Sequence, residues 1–289
     1  MTFDNYIFDL YGTLIDIHTD EEQHGLWQDM AAYLQCQFGA DYTAKELRKR
    51  YLEICAQEEE LLTYYLKKNK GLTTKYPEIR ISWVWTKLIA EKIYGEASEF
   101  TNSRLGHSPS EIDAATAYLP HKYDEEEYIT PQIQAVCTYF RSTSRDKLVK
   151  YDGVISTLKE LKRYGKKIFL LSNAQKLFTV KELMDTGLYN YFNGIFISSE
   201  AMIKKPDPAF MDILISKYRL DKSKCVMIGN DIASDVGVAA HSGIRSIFLN
   251  TYEVSDKDIN KGIRELKIRE KDLFPVIISD GNIEKILSL

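Results

Sequence analysis

The second half of the chain alternates short apolar runs with stretches of helical periodicity. The apolar runs predict strands at 167–172, 194–198, 224–229 and 246–250, with one more near 275–279. Between them, apolar residues at helical spacing predict helices at about 154–164, 175–186, 208–218 and 234–242, and a short one at 281–288. Continuous apolar strands separated by amphipathic helices are typical of a parallel sheet covered on both faces.

The first half follows a different pattern. A strand is predicted at 5–10, but residues 16–147 are charged and helical, with helices at 21–38, 44–68 and 80–95 and a polar loop at 100–110. A parallel crossover needs only a few tens of residues, whereas the next strand begins at 167. The pattern therefore predicts an α/β core from residues 1–15 and 148–289, with an all-helical module, 16–147, inserted after the first strand.

The composition limits the classes of protein to which this chain is expected to belong. The chain has 289 residues, 44% of them hydrophobic and 28% charged, and its net charge of −4 gives no reason to expect nucleic acid or anionic membranes as partners. It has no apolar run of about 18 residues and no basic, apolar start typical of a secretory signal. Its four cysteines form no CxxC pair, which favours a reducing cytoplasm. We expect a cytoplasmic protein acting on a small molecule, and the oligomeric state stays open.

The segment from Ile7 to Asp16 carries the first chemical signal. An apolar run ends at Asp9, and a Gly-Thr turn follows at once. A buried strand of this kind delivers a carboxylate to the edge of the sheet where ligands bind in α/β folds. Such a carboxylate can act as a nucleophile and form a covalent intermediate. The alternative is an ordinary strand followed by a polar turn.

Two further strands end in polar groups. Ser172 and Asn173 close the strand at 167–172, where they can donate hydrogen bonds to an oxyanion or, alternatively, cap a helix. The stretch Lys204-Lys205-Pro206 begins a loop stiffened by two prolines, so one lysine is placed to neutralise a phosphate or a carboxylate. The alternative is a solvated surface pair of lysines.

The strand at 224–229 is followed by Asn230, Asp231 and Asp235. Carboxylates beyond an apolar strand are costly unless a cation joins them, and hard oxygen ligands suit Mg²⁺. The alternative is that Asp231 caps the next helix and Asp235 stabilises its first turn. All of these polar groups follow the carboxyl ends of predicted parallel strands, so they are expected at one edge of the sheet.

In these motifs the chain resembles the haloacid dehalogenase-like superfamily of hydrolases. The motifs DLYGTL, LLSNA, KKPDP and GNDIASD occur in the order typical of that family. The resemblance implies a Rossmann-like core, a helical C1-type cap formed by the insertion, and Mg²⁺-dependent hydrolysis of phosphate esters. It implies the following roles: Asp9 is the nucleophile, Ser172 is the second-motif hydroxyl, Lys205 is the third-motif lysine, and Asp231 and Asp235 are the metal-site acids.

One residue departs from the family's phosphatases. Most carry Asp two residues after the nucleophile as general acid and base, and here that position is Tyr11. Protonation of a leaving group contributes about 10²–10⁴-fold to the rate. The family's haloacid dehalogenases also have Tyr there, because halide leaves without a proton. The retained acids favour the metal-dependent class, in which the backbone carbonyl at the Tyr11 position still binds the metal.

Three hypotheses follow. The preferred one is a Mg²⁺-dependent phosphohydrolase that forms an aspartyl phosphate. In it Thr13, Ser172 and the Asn173 backbone donate to the phosphoryl group, Lys205 balances charge, and His18, Asp20 or Glu21 are candidate acids. Asn230, His18 and Arg141 are candidate substrate contacts.

The second hypothesis is a hydrolytic 2-haloacid dehalogenase, with Arg141 or Arg145 binding the substrate carboxylate. The third is a catalytically silent binding module.

Overall fold

A computed structural model of the chain describes residues 2–94, 123 and 129–289. The chain forms two compact units, Met1–His18 with Lys147–Leu289, and Thr19–Asp146. We call the first the core unit and the second the helical unit. The predicted loop at 100–110, and residue 95 of the predicted helix 80–95, lie outside the described residues.

The core unit is built on a parallel sheet. Numbered along the chain, the strands are β1 (Asn5–Phe8), β2 (Ile15–Thr19), β3 (Arg145–Lys150), β4 (Lys167–Ser172), β5 (Gly194–Ile197), β6 (Cys225–Gly229), β7 (Arg245–Leu249) and β8 (Val276–Ile278). Six of them form one sheet in the order β5-β4-β1-β6-β7-β8, and all of its pairings are parallel. The predicted Rossmann-like α/β core is confirmed.

The register of the sheet brings the ends of three strands level. Phe8 of β1 pairs with Leu170 of β4 and with Ile228 of β6. The residues that follow these positions therefore emerge at the same edge of the sheet. They include Asp9 and Ser172, so two of the predicted site residues share this edge.

Helices cover both faces of this sheet. They are α5 (Val154–Arg163), α6 (Lys176–Asp185), α7 (Ser198–Ala201), α8 (Pro208–Tyr218), α9 (Gly237–His241) and α10 (Asp256–Glu265). On one face, Leu158 of α5 lies in the apolar core with Phe8 and Leu170. On the other, the rings of Phe169 and Tyr218 of α8 lie 4.7 Å apart. Because side chains alternate along a strand, both faces of β4 are apolar and both are buried.

The helical unit has an aromatic core of its own. Its helices are α1 (Leu26–Phe38), α2 (Ala44–Asn69), α3 (Ile81–Tyr94) and α4 (Pro131–Ser144). Thr43 and Glu46 form a capping box at the start of α2. This pair of residues is a sequence signature of a helix N-terminus. Trp27, Tyr51, Trp85 and Phe140 pack with ring centroids 5.1–5.8 Å apart.

Two local features differ from the predictions. Strands β2 and β3 form a two-stranded sheet in a span that was predicted to be helical up to residue 147. The predicted helix at 234–242 begins instead as a π-helical turn, Ile232–Val236, which α9 continues. Within residues 2–94 and 129–289, no helix combines the length and apolar character needed to span a bilayer.

Candidate active site

Asp9 follows β1 directly and is almost fully buried. Its backbone N–H donates to the carbonyl of Ile228 at 2.9 Å, which continues the sheet pairing by one residue. The chain then turns at Gly12, whose φ of +81° is a conformation that favours glycine. A Cβ on this residue would lie 2.3 Å from the Asn230 amide, so the turn also needs glycine for space. The turn places Thr13 Oγ1 3.3 Å from Asp9 Oδ2.

Lys205 joins two carboxylates at this edge of the sheet. Its Nζ lies 2.7 Å from Asp9 Oδ1 and 2.6 Å from Asp235 Oδ1. The Lys205 side chain is 1% exposed and that of Asp235 is 2% exposed. Burial disfavours the charged ammonium, but the two carboxylates outweigh it, so the pKa of Lys205 is raised.

The charges in this cluster do not cancel. Two carboxylates share one ammonium, which leaves an excess of negative charge in a buried place. Burial raises the pKa of Asp235, and the neighbouring Asp9 adds to this, although Lys205 acts against it. A divalent cation would offset the excess, and carboxylate oxygens are the donors that Mg²⁺ prefers. The donor set therefore fits such an ion.

The loop that carries Lys205 is fixed to the end of β4 by a side chain. The Asn173 amide donates to the carbonyl of Lys205 at 3.0 Å, and its oxygen accepts from the Lys205 N–H at 2.8 Å. This pair of bonds orients the peptide of Lys205. Sequence reasoning assigned Asn173 to the site as a donor to an oxyanion and missed this positioning role of its side chain.

Ser172 presents a buried hydroxyl at the same edge. The residue is fully buried, and its Oγ has no hydrogen-bond partner among the residues that the structure describes. A buried polar group without a partner is costly. This hydroxyl is therefore suited to bind a substrate oxygen.

Asp231 and Asn230 lie differently from the expected arrangement. The Asp231 carboxylate accepts a 2.6 Å hydrogen bond from the N–H of Ser234, so it caps the turn that follows, and the residue is exposed. Asn230 instead points toward the nucleophile loop, where its Oδ1 lies 3.2 Å from Thr13 Oγ1. The capping interpretation describes the Asp231 side chain, and Asp235 is the acid that lies close to Asp9.

The Tyr11 side chain is held by helix α6. Its hydroxyl donates to the Glu182 carboxylate in a short hydrogen bond and lies 3.1 Å from Thr179 Oγ1. Both partners are buried on α6. These bonds hold the Tyr11 hydroxyl against α6. Sequence reasoning missed Glu182, although it shares a helical face with the buried Thr179 and Leu183.

The remaining predicted residues are His18 of the core unit and four residues of the helical unit. His18 is exposed at the end of β2. Asp20, Glu21, Arg141 and Arg145 belong to the helical unit, which is described by itself. The Asp20 carboxylate accepts from the Glu22 N–H at 2.8 Å, as in an exposed turn. The roles suggested for these residues stay predictions.

No group of three or more His, Cys, Asp or Glu side chains forms a ready metal site within the described part of the chain. The candidate ligands for an ion are of two types. They are the carboxylates of Asp9 and Asp235, and a backbone carbonyl of the turn after β1.

The chain is similar to known proteins in sequence. The family model described as haloacid dehalogenase-like hydrolase matches residues 3–243. A phosphoserine phosphatase of Thermus thermophilus is 26% identical over 133 residues, which are 46% of this chain and 53% of that protein. A phosphoglycolate phosphatase of Pseudomonas aeruginosa is 32% identical over 95 residues, 33% of this chain and 35% of that protein. The chain thus spans about half and about a third of these relatives.

A solved structure shares the fold over the whole chain. It is a 2-haloacid dehalogenase from Pseudomonas syringae pv. Tomato DC3000, with a TM-score of 0.59 and 17% identity, covering 99% of this chain and 97% of that one. At this identity the likeness concerns the fold alone.

Proposed function

Because the chain belongs to the haloacid dehalogenase-like hydrolases, we propose that it is a Mg²⁺-dependent phosphohydrolase of a small phosphorylated metabolite. The observation that carries the proposal is the buried cluster in which Lys205 joins Asp9 to Asp235. A carboxylate held there can attack phosphorus and form an aspartyl phosphate. The relatives named as phosphatases support this chemistry.

In the proposed mechanism the chain's own groups surround the phosphoryl group. Asp9 attacks in line, while the hydroxyls of Thr13 and Ser172 and the backbone N–H of Asn173 donate to its oxygens. Lys205 offsets negative charge that develops during transfer. Asp9, the Tyr11 carbonyl and Asp235 would hold Mg²⁺, which neutralises charge on the phosphoryl oxygens. Asp231 is assigned to the turn that it caps.

The helical unit is proposed to act as the cap. The family resemblance assigns this role to the insertion after the first motif, and Thr19–Asp146 is the compact unit in that place. In such an arrangement the core unit supplies the chemistry and the cap chooses the substrate.

The direct test is turnover of 4-nitrophenyl phosphate with and without Mg²⁺, in the wild type and in Asp9→Asn. We expect turnover in the wild type that chelation abolishes and Mg²⁺ restores. Asp9→Asn removes the nucleophile with little change in volume, so the rate should fall by about 10³-fold or more. Equal rates in the two proteins would reject the role of Asp9.

The dehalogenase alternative is separated by a second substrate. Tyr11 is the observation that favours it, since chloride leaves without a proton. Release of chloride from 2-chloropropionate without added metal would support that function. We expect none, because the buried negative excess around Asp235 calls for a cation that a dehalogenase does not need.

A further inference from the structure

The proposed phosphohydrolase lacks a proton donor at the expected place, and this inference rests on that proposed function. When the bond between phosphorus and an alkyl ester oxygen breaks, that oxygen needs a proton to leave easily. Two polar side chains near Asp9 already have bonding partners. The Tyr11 hydroxyl is bound to Glu182, and Lys205 lies buried between Asp9 and Asp235.

The loop after β7 lies against the nucleophile loop. Thr251 Oγ1 donates to the carbonyl of Gly12 at 2.5 Å, which fixes the loop to the turn between Asp9 and Thr13. The Asn250 side chain closes the loop on itself, because it accepts from the Val254 N–H at 2.8 Å and donates to the Val254 carbonyl at 2.9 Å. The loop between these two anchors is therefore held firmly.

Tyr252 stands at the tip of this loop and is 54% exposed. Its hydroxyl interacts with the Asn230 side chain, and the charges of Asp9, Asp16 and Lys147 all act on it. Asn230 Oδ1 in turn lies 3.2 Å from Thr13 Oγ1, which lies 3.3 Å from Asp9 Oδ2. Tyr252 thus ends a polar chain that starts at the nucleophile. It is exposed, whereas Asn230 is half-buried and Thr13 and Asp9 are buried.

Asp16, whose charge acts on Tyr252, is less suited than Tyr252 to donate a proton. The Asp16 carboxylate already has a partner, because its Oδ2 lies 2.5 Å from Lys147 Nζ. Tyr252 differs because its phenol is neutral, and burial together with the charges of Asp16 and Asp9 raises its pKa. Because the Asn230 oxygen accepts from Thr13 Oγ1, its amide N–H is the group that can donate to Tyr252, and the phenol then keeps its own proton for donation.

We infer that Tyr252 contacts the substrate and donates the proton to the ester oxygen of an alkyl phosphate. As the bond from phosphorus to this oxygen breaks, the electron pair stays on the oxygen, which takes the Tyr252 proton and departs as an alcohol. The phenolate then takes a proton from the water that hydrolyses the aspartyl phosphate. Phosphate is released and Tyr252 returns to its starting state.

The test varies the basicity of the leaving group in full-length protein with Mg²⁺. The substrates are 4-nitrophenyl, phenyl and benzyl phosphate, compared in the wild type and in Tyr252→Phe. We expect Tyr252→Phe to lose about 100-fold in kcat/KM with benzyl phosphate and less than about threefold with 4-nitrophenyl phosphate, whose leaving group needs no proton. Tyr164→Phe is the matched control, because Tyr164 is 55% exposed and precedes β4 at the other edge of the sheet.

Each outcome decides a separate point. An equal loss with all three substrates would make Tyr252 a binding residue only and overturn the inference, as would no loss with any. Turnover that depends on Asp9 would still stand in both cases, so the proposed function would survive. Absence of turnover in the wild type with all three esters would overturn the proposed function and this inference with it.

Discussion

At the scale of single residues, Asp231 and Asp235 show how the fold separates two acids only four positions apart. Asp231 accepts from the Ser234 N–H and is exposed. Asp235 is buried, bound to Lys205, and accepts from the Asp231 N–H at 3.0 Å. A Cβ on Gly229 would lie 2.1 Å from the Asp235 carboxylate, so glycine at the end of β6 makes room for this side chain.

This difference predicts opposite results for two matched substitutions. Asp231→Asn keeps a good capping side chain, so activity should stay within about twofold and the free energy of unfolding within about 0.5 kcal/mol. Asp235→Asn removes a charge that orients Lys205 and is proposed to hold the cation, so kcat/KM should fall by about 10²-fold or more. Steady-state kinetics with 4-nitrophenyl phosphate measure both. A loss confined to Asp231→Asn would reverse the assignment.

From the sequence alone, Asp9, Ser172 and Lys205 were predicted to lie together because the carboxyl ends of parallel strands meet at one edge of the sheet. Asp9 follows β1 directly and Ser172 ends β4, whereas Lys205 lies on the loop that follows β5 and α7. It did not distinguish Asp231 from Asp235, because both follow the same strand and only the π-helical turn decides which carboxylate faces Lys205. Tyr252 carried no signal, since it lies in a loop whose approach to Gly12 is a tertiary contact.

At the scale of elements, the Tyr11–Glu182 hydrogen bond connects the loop after β1 with helix α6. The same helix follows Ser172 and Asn173, so one element holds two parts of the candidate site. Ala174 and Lys176, which precede and begin α6, donate through their N–H groups to the hydroxyls of Ser198 and Ser199 at 2.8 and 2.9 Å. The start of the helix is thereby fixed to α7.

Removal of the Tyr11 hydroxyl should loosen this connection. Tyr11→Phe takes a donor from a buried carboxylate, so the free energy of unfolding should fall by about 1–3 kcal/mol. Combined with Glu182→Gln, the two losses should not add, with a coupling of about 0.5–3 kcal/mol. Urea unfolding measures this, and Glu160→Gln, an exposed pair with Arg163 on α5, is the control. Additive losses would mean that the two side chains act independently.

The strands of the main sheet were predicted to within about one or two residues because they are continuous apolar runs bounded by polar turns. Strands β2 and β3 were missed. β3 reads Arg-Asp-Lys-Leu-Val-Lys, with no buried residue to give it a strand pattern, and only its pairing with β2 defines it. Long-range pairing of this kind leaves little trace in local periodicity.

At the scale of the whole molecule, each of the two units buries apolar side chains of its own among the described residues. All three of its tryptophans, at positions 27, 83 and 85, lie in the helical unit. Tryptophan fluorescence therefore reports on the helical unit, whereas circular dichroism reports on both. Fluorescence follows the helical unit by itself, and a transition seen by circular dichroism alone belongs to the core unit.

We expect a substitution in the sheet to act on one core only. Leu170 is fully buried in β4, so Leu170→Ala should destabilise the core unit by about 2–5 kcal/mol. In urea, the part of the circular dichroism change that comes from the core unit should move to lower concentration while the fluorescence transition stays in place. Val149→Ala, at a residue that is 57% exposed in β3, should change neither. An equal shift of both transitions would show that the units unfold as one.

The central claim is that Asp9 becomes phosphorylated during turnover. The most direct measurement is to quench the protein in acid during turnover of 4-nitrophenyl phosphate with Mg²⁺ and to locate the phosphoryl group by peptide mass spectrometry. The account predicts a phosphorylated peptide containing Asp9, which is absent from Asp9→Asn. A phosphoryl group on a different residue, or rapid turnover by Asp9→Asn, would contradict it.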